Sequence, residues 1–231
     1  MANQSRDSSI AGKVAAMVRR GGERAWEVAD FLDLPAGAVN AALRRLAKNG
    51  ELKSVRHGIY WRGRKQPWGM SRPDPLQLAA ATAKVHGIGW AGLSASNILG
   101  TTTQVPAIEI VAIPAPTPRA IPGVRFVNRA AKGLRAVERL RPLEVAMLEV
   151  LGDWTTVIDV DPSEAITTLA RHIRDGSVRP GKIAAAAAGE LGPTRDRLRA
   201  VLKSAGEDAI ASTIPTSSTP SVTARALAGV G

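Results

Sequence analysis

The chain has no cysteine. That excludes disulfides, thiol nucleophiles and cysteine-ligated zinc, and it fits a reducing compartment. Aromatic residues are scarce: five Trp, two Phe and one Tyr in 231 residues. Helical cores here must therefore be built mainly from alanine and aliphatic side chains. Long apolar runs are missing too, and no stretch suits a bilayer-spanning helix. The polar start, Met1-Ala2-Asn3-Gln4-Ser5-Arg6-Asp7, leads into an amphipathic segment and does not read as a signal peptide. The expectation is a cytoplasmic protein with no membrane partner.

Acidic residues are few relative to basic ones, 20 against 31, for a net charge of +11. The imbalance is not uniform. Residues 1–72 hold 14 Lys/Arg and 6 Asp/Glu, whereas the remainder holds 17 and 14. A positive potential concentrated in the first third points to a polyanionic partner, nucleic acid before an acidic membrane surface. Chemistry-bearing motifs are sparse. There is no G-x-S-x-G elbow and no Walker loop. His57, His86 and His172 have no metal-ligand spacing with one another or with another ligand type. The expectation is no catalytic residue, no metal and no cofactor, hence a protein that is not an enzyme.

What is present begins with S-I-A-G-K-V-A-A-M-V-R-R at 9–20. Ile10, Val14, Met17 and Val18 share one helical face, Ser9 is the N-cap, and Gly21-Gly22 ends the helix. Trp26 and then E-V-A-D-F-L-D-L predict a second, short helix burying Val28, Phe31 and Leu32. A third helix is predicted from Pro35 to Asn49, with Val39, Leu43 and Leu46 inward. Its other side carries Asn40, Arg44, Arg45 and Lys48. A short helix, a turn and a longer helix with a basic outer face form the helix-turn-helix layout. A three-helix core with a solvated charged face fits the same pattern.

Residues 51–62 weigh toward the first alternative. Glu51–Val55 and Ile59–Arg62 are strand-like and flank Arg56-His57-Gly58, which makes a wing after the helix-turn-helix. The pair Tyr60-Trp61 could be a base-stacking platform. Its position instead makes Trp61 a core residue, leaves Tyr60 partly exposed and puts Arg56 and His57 at the tip. The candidate DNA-binding residues are Asn40, Arg44, Arg45, Lys48, Lys53, Arg56 and His57, the first three for base edges and Lys48 and Lys53 for phosphate.

The Gly/Pro-rich basic stretch at 66–75 reads as a linker. Beyond it, G-x-G-x-x-G at Gly87, Gly89 and Gly92 follows a helix rather than a strand, so a turn between helices outweighs a dinucleotide site. Residues 107–113 and 124–128 are strands, and 134–151 is helical. Asp159 and Asp161 loosely resemble a metal-binding pair. Asp161-Pro162-Ser163-Glu164 instead reads as a helix start, with Asp161 as N-cap and Glu164 closing a capping box. Helices are predicted at 163–174, 180–189 and 193–204, with Arg195, Arg197, Arg199 and Lys203 on a solvated face. The Ser/Thr/Pro-rich residues 211–231 are expected to be a poorly ordered tail.

The expected fold class is mainly α with a small β component (α+β). Its plan is a winged helix-turn-helix at 1–65, a linker at 66–75 and a small mixed α/β domain at 76–210. W-E-V-A-D-F-L-D-L at 26–34, Gly58-Ile59-Tyr60 and S-A-S-N-I-L-G-T-T-T-Q-V-P-A-I-E-I at 94–110 together resemble the AbiEi family of type IV antitoxins. The likeness covers roughly residues 9–150 and is nearest a branch of unknown function with an antitoxin-like domain. Glu27 stands where relatives cap the second helix with Thr or Ser, and Thr101 where they carry Leu. The resemblance implies a transcriptional regulator that binds promoter inverted repeats in double-stranded DNA, as a homodimer. It also implies a C-terminal domain that counteracts a nucleotidyltransferase-like toxin. A protein–protein module that binds a toxin without specific DNA readout is the alternative.

Overall fold

The computed structural model describes residues 9–118 and 121–229. The chain is of the α+β class and divides into two compact units, one ending at Ala81 and the other starting at Thr82. No helix among the described residues is long and apolar enough to cross a membrane.

The first unit opens with α1, Ile10–Arg20, whose N-cap Ser9 accepts the Gly12 amide at 3.1 Å. Val14 and Val18 are fully buried against α2, Ala36–Lys48, which returns Val39, Ala42, Leu43 and Leu46. Between them lies β1, Arg24–Trp26. It pairs antiparallel with β3, Ile59–Arg62, and β3 pairs with β2, Lys53–Arg56, giving the order β1-β3-β2. The strand β1 was not foreseen, because three residues carry no periodicity and their partner strand lies far along the chain.

The expected second helix shrinks to a single 3₁₀ turn, Val28–Asp30. Asp30 is bound twice, accepting the Glu27 amide at 2.8 Å and pairing with Arg24, so the turn closes on itself and stops at Phe31. Phe31 stacks on Trp26 with ring centroids 5.5 Å apart. Leu32, predicted inward, is 90% exposed. Gly21 is required where it stands: a Cβ there would lie 2.2 Å from the Trp26 ring.

Tyr60 and Trp61 are both buried, on opposite faces of β3. Cross-strand partners share a face. Tyr60 lies with Trp26 and Ser54 on the face that joins the α1–α2 core, whereas Trp61 lies with Ala25 and Lys53. The reading of Tyr60 as partly exposed is thus corrected. The Trp61 indole donates to the Ser71 carbonyl at 2.9 Å. The segment expected as a linker contains a second hairpin, β4 (Lys65–Gln66) and β5 (Gly69–Met70), turning at Pro67-Trp68. The helix α3, Pro75–Ala83, follows it.

The second unit centres on a three-stranded sheet, β6 (Gly89–Trp90), β7 (Glu109–Ile113) and β8 (Val124–Asn128). β6 is antiparallel and β8 parallel to β7. The helix α4, Gly92–Leu99, ends in left-handed Gly100. After the single turn α5, Leu134–Val137, comes α6, Pro142–Gly152. From Glu144 to Leu151 every residue of α6 is buried, so it is the central rod of this core rather than a one-faced helix. A further single turn, α7 (Trp154–Val157), leads into α8, Pro162–Arg174, then α9, Pro180–Ala186, and α10, Gly192–Ser204.

The glycine motif resolves as packing, with one correction: Gly89 is in a strand, not in a turn between helices. A Cβ on it would lie 2.5 Å from the Pro142 carbonyl oxygen and from Val145 Cβ, so glycine lets α6 close on β6.

The tail is corrected too. Helices α11, Asp208–Thr213, and α12, Pro220–Ala226, occupy it as far as Gly229, and the last two residues lie outside those described. The arginines assigned to a solvated face hold it. Arg197, 8% exposed, donates to the Leu151 and Ala226 carbonyls at 2.8 and 2.9 Å. Arg199 donates to Ala211 and Ile214, and Arg195 to Glu190 and Pro215. The buried carboxylate of Asp196 accepts from Ser217 and Thr223. A composition rich in Ser, Thr and Pro hides these contacts, because the groups that order the tail lie on another helix.

Candidate nucleic-acid interface

Burying Val39, Ala42, Leu43 and Leu46 against α1 fixes what α2 shows to water. Gly37, Ala41, Arg44, Arg45 and Lys48 are exposed and Asn40 is half-buried. At 3.6 residues per turn, Gly37, Asn40, Ala41, Arg44 and Lys48 form one row along the helix. Small residues occupy its N-terminal end, where a backbone could come close to a partner, and cations occupy its C-terminal end. Arg45 sits to one side, lining a groove with Ala11, Gly12, Ala15 and Arg19 of α1. The helix contains no acidic residue. Arg45 and Lys48 in its last turn also favour the helix dipole.

Each cation of this unit is either paired or free. Arg19 holds Glu51 at 2.9 Å, Arg24 holds Asp30, and Arg24 also lies 4.2 Å over the Trp26 ring. Arg64 is 3.8 Å from Glu23. Arg44, Arg45, Lys48, Lys53 and His57 have no hydrogen-bond or ion-pair partner among the described residues. Glu51, Asp30 and Glu23 are thus engaged by Arg19, Arg24 and Arg64, and none of them pairs with the α2 row, although Glu51 lines the groove beside Arg45.

The β2–β3 turn carries exposed His57 and Gly58, whose φ of +79° suits glycine. Arg56 differs from its expected projection at the tip. The pairing shifts between Ser54 and Arg56, which sets Arg56 opposite Ile59. Its side chain is half-buried, with Nε enclosed and unpartnered. Lys53 is exposed, but it stands on the sheet face shared with Trp61, away from the helical core. The structure therefore groups Asn40, Arg44 and Lys48 in one row, places Arg45 beside it and His57 at the hairpin turn, and separates Lys53 and Arg56 from them. Exposed apolar side chains of this unit include Leu32 in the turn before α2, which the sequence pattern puts inward, and Trp68, 82% exposed, to which the pattern assigns no role. A Pro-Trp-Gly turn between basic residues was a signal for the latter.

The aspartates 159 and 161 have structural partners. Asp159 accepts from the Thr102 hydroxyl at 2.7 Å and from the Thr103 amide at 3.2 Å. The Thr102 bond holds its carboxyl below the usual carboxylate range. Asp161 caps α8, accepting from Ser163 N at 2.8 Å. No group of three or more His, Asp or Glu among the described residues is placed to hold a metal ion.

Among solved structures, the chain is similar to the crystal structure of the RV2827C protein from Mycobacterium tuberculosis. The identity is 17% over 90% of this chain and 82% of that one, with a TM-score of 0.45. No curated protein matches the sequence. A family model does match, over residues 17–177 and therefore over α2, both hairpins and most of the second unit, and the chain belongs to that family, a family of unknown function (DUF6088).

Proposed function

We propose that the first unit is a winged helix that binds duplex DNA and that the protein is a transcriptional regulator of the antitoxin type. The uncompensated row on α2 carries this reading. In a helix-turn-helix the second helix enters the major groove, and its outward side chains meet bases and phosphates. Asn40 and Arg44 have the donor groups for base edges, and Arg45 and Lys48 the charge for phosphate. The β2–β3 hairpin is the wing, offering His57 to the flanking backbone. The resemblance of residues 9–150 to AbiEi-type antitoxins supports the same reading. It adds promoter inverted repeats bound by a homodimer, and a nucleotidyltransferase-like toxin as the protein to be counteracted.

The deciding measurement is a gel shift on the DNA upstream of the protein's own gene against scrambled duplex, at two salt concentrations. Upstream DNA should be preferred, and Arg44→Ala should reduce that preference by about 1–3 kcal/mol if the contact is bidentate. Equal, weak binding of both duplexes would instead favour a module that docks on protein.

A further inference from the structure

We propose that the β4–β5 hairpin is a second DNA-contacting element, with Trp68 against the sugar edge of the minor groove and Arg64 and Lys65 on the adjoining phosphates. The inference rests on the DNA reading of α2 and deepens it, extending the contact beyond the helix-turn-helix.

Trp68 is the first observation. Trp26, Trp61 and Trp154 are at most 4% exposed and Trp90 is half-buried, whereas Trp68 is 82% exposed at the tip of a two-residue turn. The chain spends its largest apolar side chain on water in a place where nothing in the fold needs it.

The hairpin is also held in position. The Trp61 indole and the Ser71 carbonyl join at 2.9 Å, Ser71 N donates to the Arg64 carbonyl at 2.9 Å, and the Arg64 amide donates to Ser71 Oγ at 2.9 Å. Ser71 Oγ in turn donates to Glu23. A Cβ on Gly63 would lie 2.5 Å from both Trp61 Nε1 and Ser71 Oγ, so the base of the hairpin is closely seated. A tryptophan on a fixed stalk loses little freedom when it binds.

The neighbours choose the partner. Arg64, Lys65 and Arg72 are exposed around it, and the nearby Glu23 is already engaged by Ser71 and Arg64. The rest of the turn is Gln66, Pro67 and Gly69, and the other large apolar residue of the hairpin, Met70, is half-buried at its base. An aromatic ring set among cations suits a nucleic acid, whereas a protein-docking patch has an apolar centre with more than one anchor. The turns at His57-Gly58 and Pro67-Trp68 lie at opposite ends of β3. About ten residues separate them, which bounds their separation at about 33 Å and lets both turns reach one duplex within a helical turn of B-DNA. The hairpin would then meet the duplex outside the stretch that α2 covers, and without sequence readout.

The test uses the full chain with random-sequence duplexes of 40 and 14 base pairs, read by fluorescence anisotropy at two salt concentrations. Melting curves confirm that each variant is folded. Trp68→Ala should weaken binding to the long duplex on the order of fivefold to tenfold and leave the short duplex unaffected. Lys65→Ala should lower the salt slope on the long duplex by about one. Wild-type affinity of Trp68→Ala for the long duplex, with Arg44→Ala still weakened, overturns the hairpin contact alone and gives Trp68 to a protein or membrane partner. Failure of the wild-type protein to bind either duplex overturns both this contact and the DNA reading.

Discussion

The two units use the same charged residues to opposite ends. On α2 in the first, Arg44, Arg45 and Lys48 are exposed and have no acidic partner among the described residues. In the second, cations are taken inside and neutralised. Arg135 is fully buried and reaches Glu149 at 2.5 Å and Glu190 at 2.7 Å. Arg129 holds Glu149 at 2.7 Å, and Lys132 holds Glu190. Arg179 holds buried Glu144 at 2.6 Å. The count of lysines and arginines does not distinguish exposed, unpaired charge from a buried framework. The number of carboxylates within reach does.

The largest effect should come from opening the buried network. Arg135→Met leaves the buried Glu149 and Glu190 short of a partner, which costs about 3–5 kcal/mol when one member of a buried ion pair is lost. Thermal or urea unfolding should show the second unit collapse early, or the variant should fail to accumulate folded. Arg44→Ala should stay within about 0.5 kcal/mol of wild type in the same assay, because its side chain is exposed and unpartnered. Equal stabilities for the two variants would remove the contrast between the units.

Acid should act on the same network. Burial alone would raise the Glu149 carboxyl, but hydrogen bonds from Arg129 and the charges of Arg135 and Arg129 outweigh it and hold the group below its ordinary value of 4.5. Glu144 is depressed in the same way, its burial outweighed by hydrogen bonds from Arg179 and the Arg141 amide. A depressed folded value means that the stabilisation is complete above the ordinary value and is lost as the pH falls through the folded one. Asp153 has the opposite sign. Burial, then Glu149, raise it, so its ionisation works against folding as the pH rises. Two depressed glutamates against one raised aspartate give a net loss on acidification. The urea midpoint of the second unit should be flat from about pH 6 to 7 and fall below about pH 4.5. Glu149→Gln should start lower and fall less.

A smaller effect sharpens the comparison from the other side. Close packing in the first unit can be set beside paired charge in the second. Gly21→Ala pushes a methyl group into the Trp26 ring, which stacks on Phe31 and lies under Arg24. Overpacking of this kind costs about 1–3 kcal/mol. Urea unfolding followed by tryptophan emission should show the loss in the first unit at any pH between 5 and 8.

Strong period and strong caps made much of this legible. The faces of α1 and α2, the Asp161 cap, Gly100 and the strands β7 and β8 follow from side-chain pattern over ten residues or fewer. What escaped depends on partners distant in sequence. β1 exists only because β3 pairs with it, and Tyr60 is inside because Trp26 shares its face. Arg197 looked solvated because Leu151 and Ala226, whose carbonyls it satisfies, are 46 and 29 residues away. At the candidate interface, α2 was readable as a helical stripe. The place of Arg56 was not, since a shift in strand register turns a side chain from one face to the other.

That register also ranks the weakest contact. Lys53 is cross-strand from Trp61, on the sheet face away from the α1–α2 core, whereas the DNA reading puts the duplex on α2 and the His57 turn. Neither α2 nor the His57 turn brings phosphate directly to a lysine there, and charge acting through solvent is screened over about 8–10 Å at physiological salt. Lys53→Ala should change affinity for duplex DNA by less than about 0.5 kcal/mol at that salt and leave the salt slope nearly intact. His57→Ala, at the exposed turn itself, should cost more than Lys53→Ala at the same salt. Anisotropy measurements at two salt concentrations separate the pair. A Lys53→Ala loss as large as that of Arg44→Ala would move the duplex from α2 to the other face of the sheet, and with it the whole assignment of exposed charge in this unit.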